Sequence, residues 1–296
     1  MKQGIIIKGI GGFYYVKSDE DVYECRARGK FKNINVTPLV GDYVDISVLD
    51  DLKKIGVVEE VHPRKTELLR PSVSNVDQAI IVFSIKDPMP NMMLLDKMLV
   101  LAENSGLEIV ICFNKGDLDS AYDYEAVSHD YRKAGYTTLK TCAITGEGVA
   151  ALSSILKSRI SVFSGPSGVG KSSLLNAIEA GFTLKTGAVS EKIKRGKHTT
   201  RHSELMELKQ GGWVVDTPGF TSLSMLEIDP DELWELFPDI RERAEDCRFD
   251  NCLHLDEPGC AVKEAVFSKE LSPQRYESYV YLYKEIVDQR RKFRKW

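Results

Sequence analysis

The chain has 296 residues, 43% of them apolar and 28% charged, with a formal net charge of −4. That length allows two or three domains with a sizeable core, and the acidity excludes a protein that is basic all over, though not one with local basic patches. No apolar run reaches the length of a membrane span, and the start, MKQGIIIKGIGG, is too short and glycine-broken for a signal peptide, so a cytoplasmic chain is expected.

Residues 1 to about 65 contain GIIIKG, GFYYVKS, VYECRARG, DYVDISV and GVVEEVH, five β-rich runs broken by turn residues. Five short strands in this length predict a small barrel, of the OB or SH3-like kind. Arg26, Arg28, Lys30 and Lys32 alternate, which places them on one strand face opposite Cys25, Ala27, Gly29 and Phe31. That stripe is either a phosphate-facing surface or a solvated strand face. RKTELLRPSVSNV then reads as a linker.

From residue 77 the pattern changes. DQAIIVFSI and LEIVICFNK are buried strands, with the helix NMMLLDKMLVLAENSG between them. A helix near 124 to 134, the strand YTTLKTCA and the helix EGVAALSSILKS follow. RISVFSG is a strand that runs straight into a glycine loop and the helix KSSLLNAIEAG. Such alternation predicts a mostly parallel sheet covered on both faces. After about residue 224 the chain turns helical. It carries a Cys/His cluster and ends in the long helix SPQRYESYVYLYKEIVDQRRKFRKW.

GPSGVGKSS, residues 165–173, fits the phosphate-loop pattern G-x-x-x-x-G-K-[ST]. Gly165, Pro166, Ser167, Gly168, Val169 and Gly170 would turn backbone N–H groups toward phosphate oxygens. Lys171 would reach the β- and γ-phosphates, and Ser172 and Ser173 open the helix, with the Ser172 hydroxyl on Mg²⁺. In GGWVVDTPGF an apolar strand ends in Asp-Thr-Pro-Gly. Asp216 can hold Mg²⁺ through water, and the Gly219 N–H can approach the γ-phosphate. Between these motifs, Thr199 and Thr200 are candidates to complete the Mg²⁺ shell; Thr200, beside Arg201, is preferred, but the spacing leaves both open.

A base-reading motif is absent downstream of the phosphate loop. It lies upstream, in IVICFNKGDLD, where Asn114, Lys115, Gly116 and Asp117 form Asn-Lys-x-Asp after a buried strand. The Asp117 carboxylate can accept from guanine N1–H and N2–H, a donor pair adenine lacks. Lys115 can lie along the base, and Asn114 can brace the loop. In TCAITGEG a backbone N–H at Cys142 or Ala143 could meet guanine O6. The order is base motif, phosphate loop, switch threonine, Asp-x-x-Gly. A circular permutation builds one site from that order, because domain termini often lie close together.

NKGD, TGEG, GPSGVGKSS, HTTRH, DTPGF and the Cys/His cluster, in this order, closely resemble the circularly permuted, small-subunit-dependent GTPases of the RsgA family, and the likeness spans nearly the whole chain. It implies a multidomain α+β protein. The parts would be an OB-fold RNA-binding domain (1–65), a linker (66–76), a circularly permuted P-loop GTPase domain (77–223) and a helical zinc-binding domain (224–296). It also implies late maturation of the small (30S) ribosomal subunit, with hydrolysis of GTP to GDP and phosphate stimulated by that subunit. A monomer with no membrane partner is expected. Cys142 stands where the family often has serine.

The position after Asp-x-x-Gly is Phe220, which cannot polarise water, so slow intrinsic turnover is expected, and His198 is the candidate within the chain for orienting the water. Because Asp-Thr-Pro-Gly-Phe leads straight into the C-terminal region, γ-phosphate contacts at Gly219 are expected to bias that region's pose. Cys247, Cys252, His254 and Cys260 suit one tetrahedral, structural Zn²⁺ with no open position, although their spacing departs from the Cys-x-x-Cys knuckle. Arg290, Arg291 and Arg294 near the C-terminus, the basic residues of 182–202 and the barrel stripe form candidate contacts to rRNA. Two rivals remain: a P-loop ATPase or kinase, and a zinc-containing RNA-binding module with a decayed nucleotide site.

Overall fold

The structure is a computed structural model that describes residues 1–296 apart from 30, 32–35, 70, 121–122, 180–181, 183–202, 216–224 and 294–296. The chain packs as two compact units. Among the described residues the first takes Met1–Ala79, Ser153–Phe163 and 203–215; the second takes Ile80–Leu152, part of 164–187, and the chain from 225 onward.

In the first unit, β1 (Lys2–Ile10), β2 (Phe13–Ser18), β3 (Asp21–Ala27), β4 (Tyr43–Asp50) and β5 (Ile55–Val61) close into a barrel of order β1-β2-β3-β5-β4. This is the OB-type arrangement, antiparallel except where β3 runs parallel to β5. Alternating residues Val16, Tyr23, Cys25, Val44, Ile46 and Val58 fill the interior. Closure leaves no open strand edge to recruit another chain.

Residues 64–76, expected as a linker, carry a β-hairpin of β6 (Glu67–Leu69) and β7 (Ser72–Ser74). The hairpin is clasped to the barrel through the fully buried Asp42. Arg64 donates to both Asp42 oxygens at 2.8 Å, Ser74 Oγ donates to Oδ1 at 2.6 Å and the Leu39 N–H to Oδ2 at 2.7 Å. A buried carboxylate is tolerated only with such partners.

The α/β sheet has the order β10-β9-β8-β11-β13-β12, built from β8 (Gln78–Ser84), β9 (Glu108–Asn114), β10 (Thr137–Lys140), β11 (Ile160–Ser164), β12 (Leu205–Glu207) and β13 (Trp213–Val215). β9 and β10 are parallel, as are β11 and β13. β12 is an antiparallel edge strand that the sequence reading did not anticipate. Every residue of β8 and β11 is buried, which explains their unbroken apolar runs. The helices are α1 (Met92–Asn104), α2 (Asp123–Lys133), α3 (Val149–Leu156) and α4 (Lys171–Ile178). Asn91 caps α1 by accepting the Leu94 N–H at 3.0 Å.

The C-terminal part of the second unit has 3₁₀ turns at Met225–Glu227 and Pro230–Leu236, then α5 (Pro238–Ala244), α6 (Ala261–Phe267) and α7 (Pro273–Phe293). It does not build a core of its own. Val100 and Leu101 of α1 belong to the same buried cluster as Leu233, Phe237, Cys252, Cys260, Tyr279 and Ile286. At the centre of this packing lies Arg275, 1% exposed. It donates to Asp96 of α1 at 2.7 Å and to both oxygens of Asp239 at 2.6 and 2.7 Å.

Candidate functional site

The base motif sits where β9 ends. Asn114 is buried, and its Nδ2 donates to the backbone oxygen of Val169, inside the phosphate loop, at 2.8 Å. Thr141 Oγ1 donates to Asn114 Oδ1 at 3.3 Å, and the Gly116 N–H to Thr141 O at 3.0 Å. Asn114 is therefore the brace between motifs 55 residues apart in the chain. Lys115 adopts a left-handed φ of 63° and its ammonium donates to the Asp87 carbonyl. Asp117 is exposed, and one of its carboxylate oxygens accepts from the Cys142 thiol at 3.1 Å.

Cys142 and Ala143 are the two candidates for a backbone contact to the base. The Cys142 N–H is committed to Glu147 O at 2.9 Å, which folds the base loop onto itself. Among the described residues the Ala143 N–H has no such partner.

The phosphate loop leaves β11 and enters α4. Gly165 has a φ of 142°, and a Cβ there would lie 2.0 Å from the Val82 carbonyl. Gly170 has a φ of 94°, and its Cβ would lie 2.3 Å from Asn114 Nδ2. Only glycine fits at either place, so the loop's turn and its brace to Asn114 both depend on missing side chains. Pro166, Ser167, Gly168, Ser172 and Ser173 occupy the loop and the first turn of α4, with Val169 buried beneath. Lys171 Nζ donates to the carbonyls of Gly165 and Pro166 at 2.8 and 2.7 Å, and burial pushes its ammonium below the usual lysine range. Such a cation favours an anion, and a polyphosphate above the loop would supply one.

His198, Thr199, Thr200, Asp216, Gly219 and Phe220 lie outside the described residues, as do the basic residues 185–201, Lys30, Lys32 and Arg294.

The four metal-ligand candidates converge. The ligand atoms of Cys247, Cys252, His254 and Cys260 all lie within 4.8 Å of one another. His254 Nδ1 is 3.5 Å from the sulfurs of Cys247 and Cys260, and those sulfurs are 4.0 Å apart. Tetrahedral bonds of about 2.3 Å to sulfur and about 2.0 Å to nitrogen put neighbouring ligands roughly 3.5–3.8 Å apart, so the set fits a zinc-like cation. Burial pushes the Cys252 thiol up to about 12, so a bound cation must displace its proton. Tyr276 and Tyr279 hydroxyls donate to the carbonyls of His254 and Leu253 at 2.8 and 2.5 Å and fix the ligand loop. Because two of these cysteines share a core with α1, removal of a cation held there should lower the thermal midpoint of the whole second unit, not only loosen a loop. Calorimetry with and without chelator, beside metal analysis, measures this; an unchanged midpoint after complete metal loss would show that the cluster is not structural.

The barrel stripe is shorter than expected. β3 ends at Ala27, because the chain turns there: the Phe31 N–H bonds back to Arg28 O at 3.2 Å. Arg28 lies past the strand and pairs with Glu59 at 2.8 Å. Arg26 lies over the Phe13 ring at 4.6 Å. Both arginines line a cleft of about 750 Å³ with Phe13, Tyr14 and Phe31. At the far end of the chain, Arg290 donates to the Ile228 carbonyl at 3.0 Å and is partly structural, while Arg291 is exposed. No signal of residue type or spacing marked Arg275, the Arg64–Asp42 clasp or the Cys142–Asp117 contact.

A phosphate loop braced by an upstream Asn-Lys-x-Asp motif on one α/β sheet, with an OB-type barrel before it and a Cys₃His cluster after it, defines a circularly permuted P-loop GTPase. The RsgA GTPase family matches residues 61–226, and the RsgA N-terminal domain matches residues 3–58. A protein of Alkaliphilus metalliredigens named small ribosomal subunit biogenesis GTPase RsgA is 49% identical, over 98% of this chain and 100% of its own. Its namesake in Caldanaerobacter subterraneus is also 49% identical, over 98% and 97%. The crystal structure of YjeQ from Thermotoga maritima superimposes with a TM-score of 0.85 at 40% identity, covering 97% of this chain and 98% of that one. That of YloQ, described as a circularly permuted GTPase, gives 0.82 at 42% identity, covering 98% and 96%. The chain belongs to the RsgA GTPase family.

Proposed function

We propose that the chain is a GTP phosphohydrolase of small ribosomal subunit biogenesis, acting late in maturation of the 30S subunit and turning over faster on that subunit than alone. The Asn114 bond to Val169 O carries this reading, since it draws the base motif against the phosphate loop despite their reversed order. The relatives named as small ribosomal subunit biogenesis GTPases support the partner.

In this reading Asp117 accepts from guanine N1–H and N2–H, Lys115 lies along the base, and the Ala143 N–H meets O6. Backbone N–H groups from Gly165 to Ser173 and the Lys171 ammonium take the phosphates. Ser172, Asp216 and Thr200 (or Thr199) would hold Mg²⁺, which neutralises charge between the β- and γ-phosphates when bound. The Gly219 N–H faces the γ-phosphate and His198 orients the attacking water. Cys247, Cys252, His254 and Cys260 hold one structural Zn²⁺. Arg26 and Arg28 at the barrel cleft, with Lys30, Lys32, Arg290, Arg291 and Arg294, contact rRNA; the Phe13 ring beside Arg26 offers a stacking surface for a base. The four-part division at 1–65, 66–76, 77–223 and 224–296, a monomer and a cytoplasmic location complete the reading. No helix among the described residues is long and apolar enough to cross a membrane.

The experiment is steady-state GTP turnover alone and with purified small subunits, large subunits or free RNA. A partner-supplied effect in GTPases spans roughly 10³- to 10⁵-fold, so a rise of tenfold or more with small subunits alone is expected. Equal rates in all arms would overturn the proposed partner.

A further inference from the structure

We propose that Glu257 is a positioning residue for the metal centre: its carboxylate clamps the backbone on both sides of His254 and so aims the imidazole at the cysteine sulfurs. The inference rests on the metal reading of the Cys₃His cluster above and adds to it a residue that is not itself a ligand.

Four observations carry it. His254 has a left-handed φ of 58°, a conformation that residues with a Cβ adopt reluctantly. The Leu253 N–H donates to one Glu257 oxygen at 3.1 Å and the Leu255 N–H to the other at 2.8 Å, so a single carboxylate holds both flanks of that turn. With the backbone in this turn, His254 Nδ1 lies 3.5 Å from the sulfurs of Cys247 and Cys260. The other ring nitrogen, Nε2, is buried and makes no hydrogen bond among the described residues.

A histidine that binds metal is usually oriented through its second ring nitrogen, which donates to a carboxylate, a carbonyl or water. Nε2 of His254 has no such acceptor. The rings of Trp234 and Tyr279 flank the imidazole instead, with centroids 5.6 and 6.5 Å away. The aim of the ring must therefore come from its backbone. Tyr279 and Tyr276 take the carbonyls of Leu253 and His254, but the Leu253 and Leu255 N–H groups depend on Glu257. Both are bonds to a charged acceptor, the stronger kind. Without them the left-handed turn relaxes, and Nδ1 moves off the sulfurs.

The test uses the full-length protein, its Glu257→Ala, Glu257→Gln and His254→Ala variants, and the double alanine variant of both positions. Zn²⁺ dissociation constants are measured by competition with a chromophoric chelator, and thermal melting is followed with and without Zn²⁺. Loss of an outer-shell partner costs roughly 10- to 100-fold in metal affinity, and Glu257→Ala should lose about that factor. Glu257→Gln keeps one acceptor and turns an NH₂ toward the other N–H, so its constant should fall between alanine and native. In the His254→Ala background the same Glu257→Ala change should cost far less, because nothing is left to aim. An equal loss in both backgrounds would show that Glu257 does not act through His254. A merely structural role would lower the loaded and metal-free midpoints alike and leave the Zn²⁺ constant at its native value, which would also overturn the proposal. Should an alanine variant fail to fold, the near-isosteric glutamine decides alone, and a native constant there would sink the idea. Failure of the metal reading looks different: the native protein itself would then hold no Zn²⁺.

Discussion

Asp117→Asn will make GTP a poor ligand and XTP the better one. In the function proposed above the native carboxylate accepts two N–H groups of guanine, and hydrogen bonds to a charged acceptor contribute about 1.5–3 kcal/mol each. Replacing one carboxylate oxygen by NH₂ removes one acceptor and turns a donor toward N1–H or N2–H. A loss on the order of 10²- to 10⁴-fold in GTP affinity follows. Xanthine carries an oxygen where guanine has its 2-amino group, and the new amide donor suits it. The phosphate loop is untouched, because Asn114, not Asp117, makes the bond to Val169 O. Titration of both nucleotides against both proteins measures the switch. An ATP-using enzyme would be indifferent to the change, so unaltered nucleotide preference would remove the GTPase assignment of this loop.

Arg275→Met will strongly destabilise the second unit. The guanidinium is 1% exposed, held by Asp96 and Asp239, and lies within 5.5 Å of the ring centres of Tyr131, Tyr136 and Phe237. Removing one partner of a buried ion network costs about 3–5 kcal/mol, since the other charges stay behind. In a unit of this size that lowers the thermal midpoint by roughly 6–20 °C. The loss also depends on pH. Burial already holds the Asp96 carboxyl above the usual range, and Arg275 opposes that shift. Without the arginine the carboxyl rises further. The folded variant then binds more protons than the unfolded chain, so its stability falls as pH rises from the unfolded value toward the folded one. The gap between variant and native protein should widen as pH rises above the native Asp96 carboxyl's own raised pKa and level off above the variant's still higher one. A pH-independent gap would mean that Asp96 is not the charge left exposed to the change.

Asp96, Asp239 and Arg275 come from three helices, and that placement bears on how the C-terminal region could respond to nucleotide. Its core is shared with α1, and Lys97 of α1 pairs with Glu285 of α7 at 2.5 Å. The expectation that Gly219 biases the pose of this region therefore competes with a buried network, and Gly219 lies outside the described residues.

Much of the molecule was legible from residue order. β8, β9 and β11 announce themselves as apolar runs because both faces of their sheet are covered. The phosphate loop and Asn-Lys-x-Asp are legible because each needs a contiguous chemistry at the end of a strand. The Cys₃His set stands out because thiolate and imidazole ligands cluster along the chain. β12 escaped because its three residues gain strand character only by pairing with β13 across a Gly-Gly turn. The basic stripe stops at Arg26 on the strand, and alternation of residue type does not reveal that Arg28 starts a turn.

The order of the motifs along the polypeptide, the glycines at 165 and 170 and the four metal-ligand candidates belong to the sequence alone, because each is a matter of covalent neighbourhood and local backbone freedom. Tertiary structure alone decided that Asn114 would meet Val169, that a buried thiol would hold Asp117, and that Arg275 would tie α7 and α5 to α1. Those contacts join residues from 25 to 179 positions apart. Their energy depends on which groups share a low-dielectric space, and residue spacing carries no record of that.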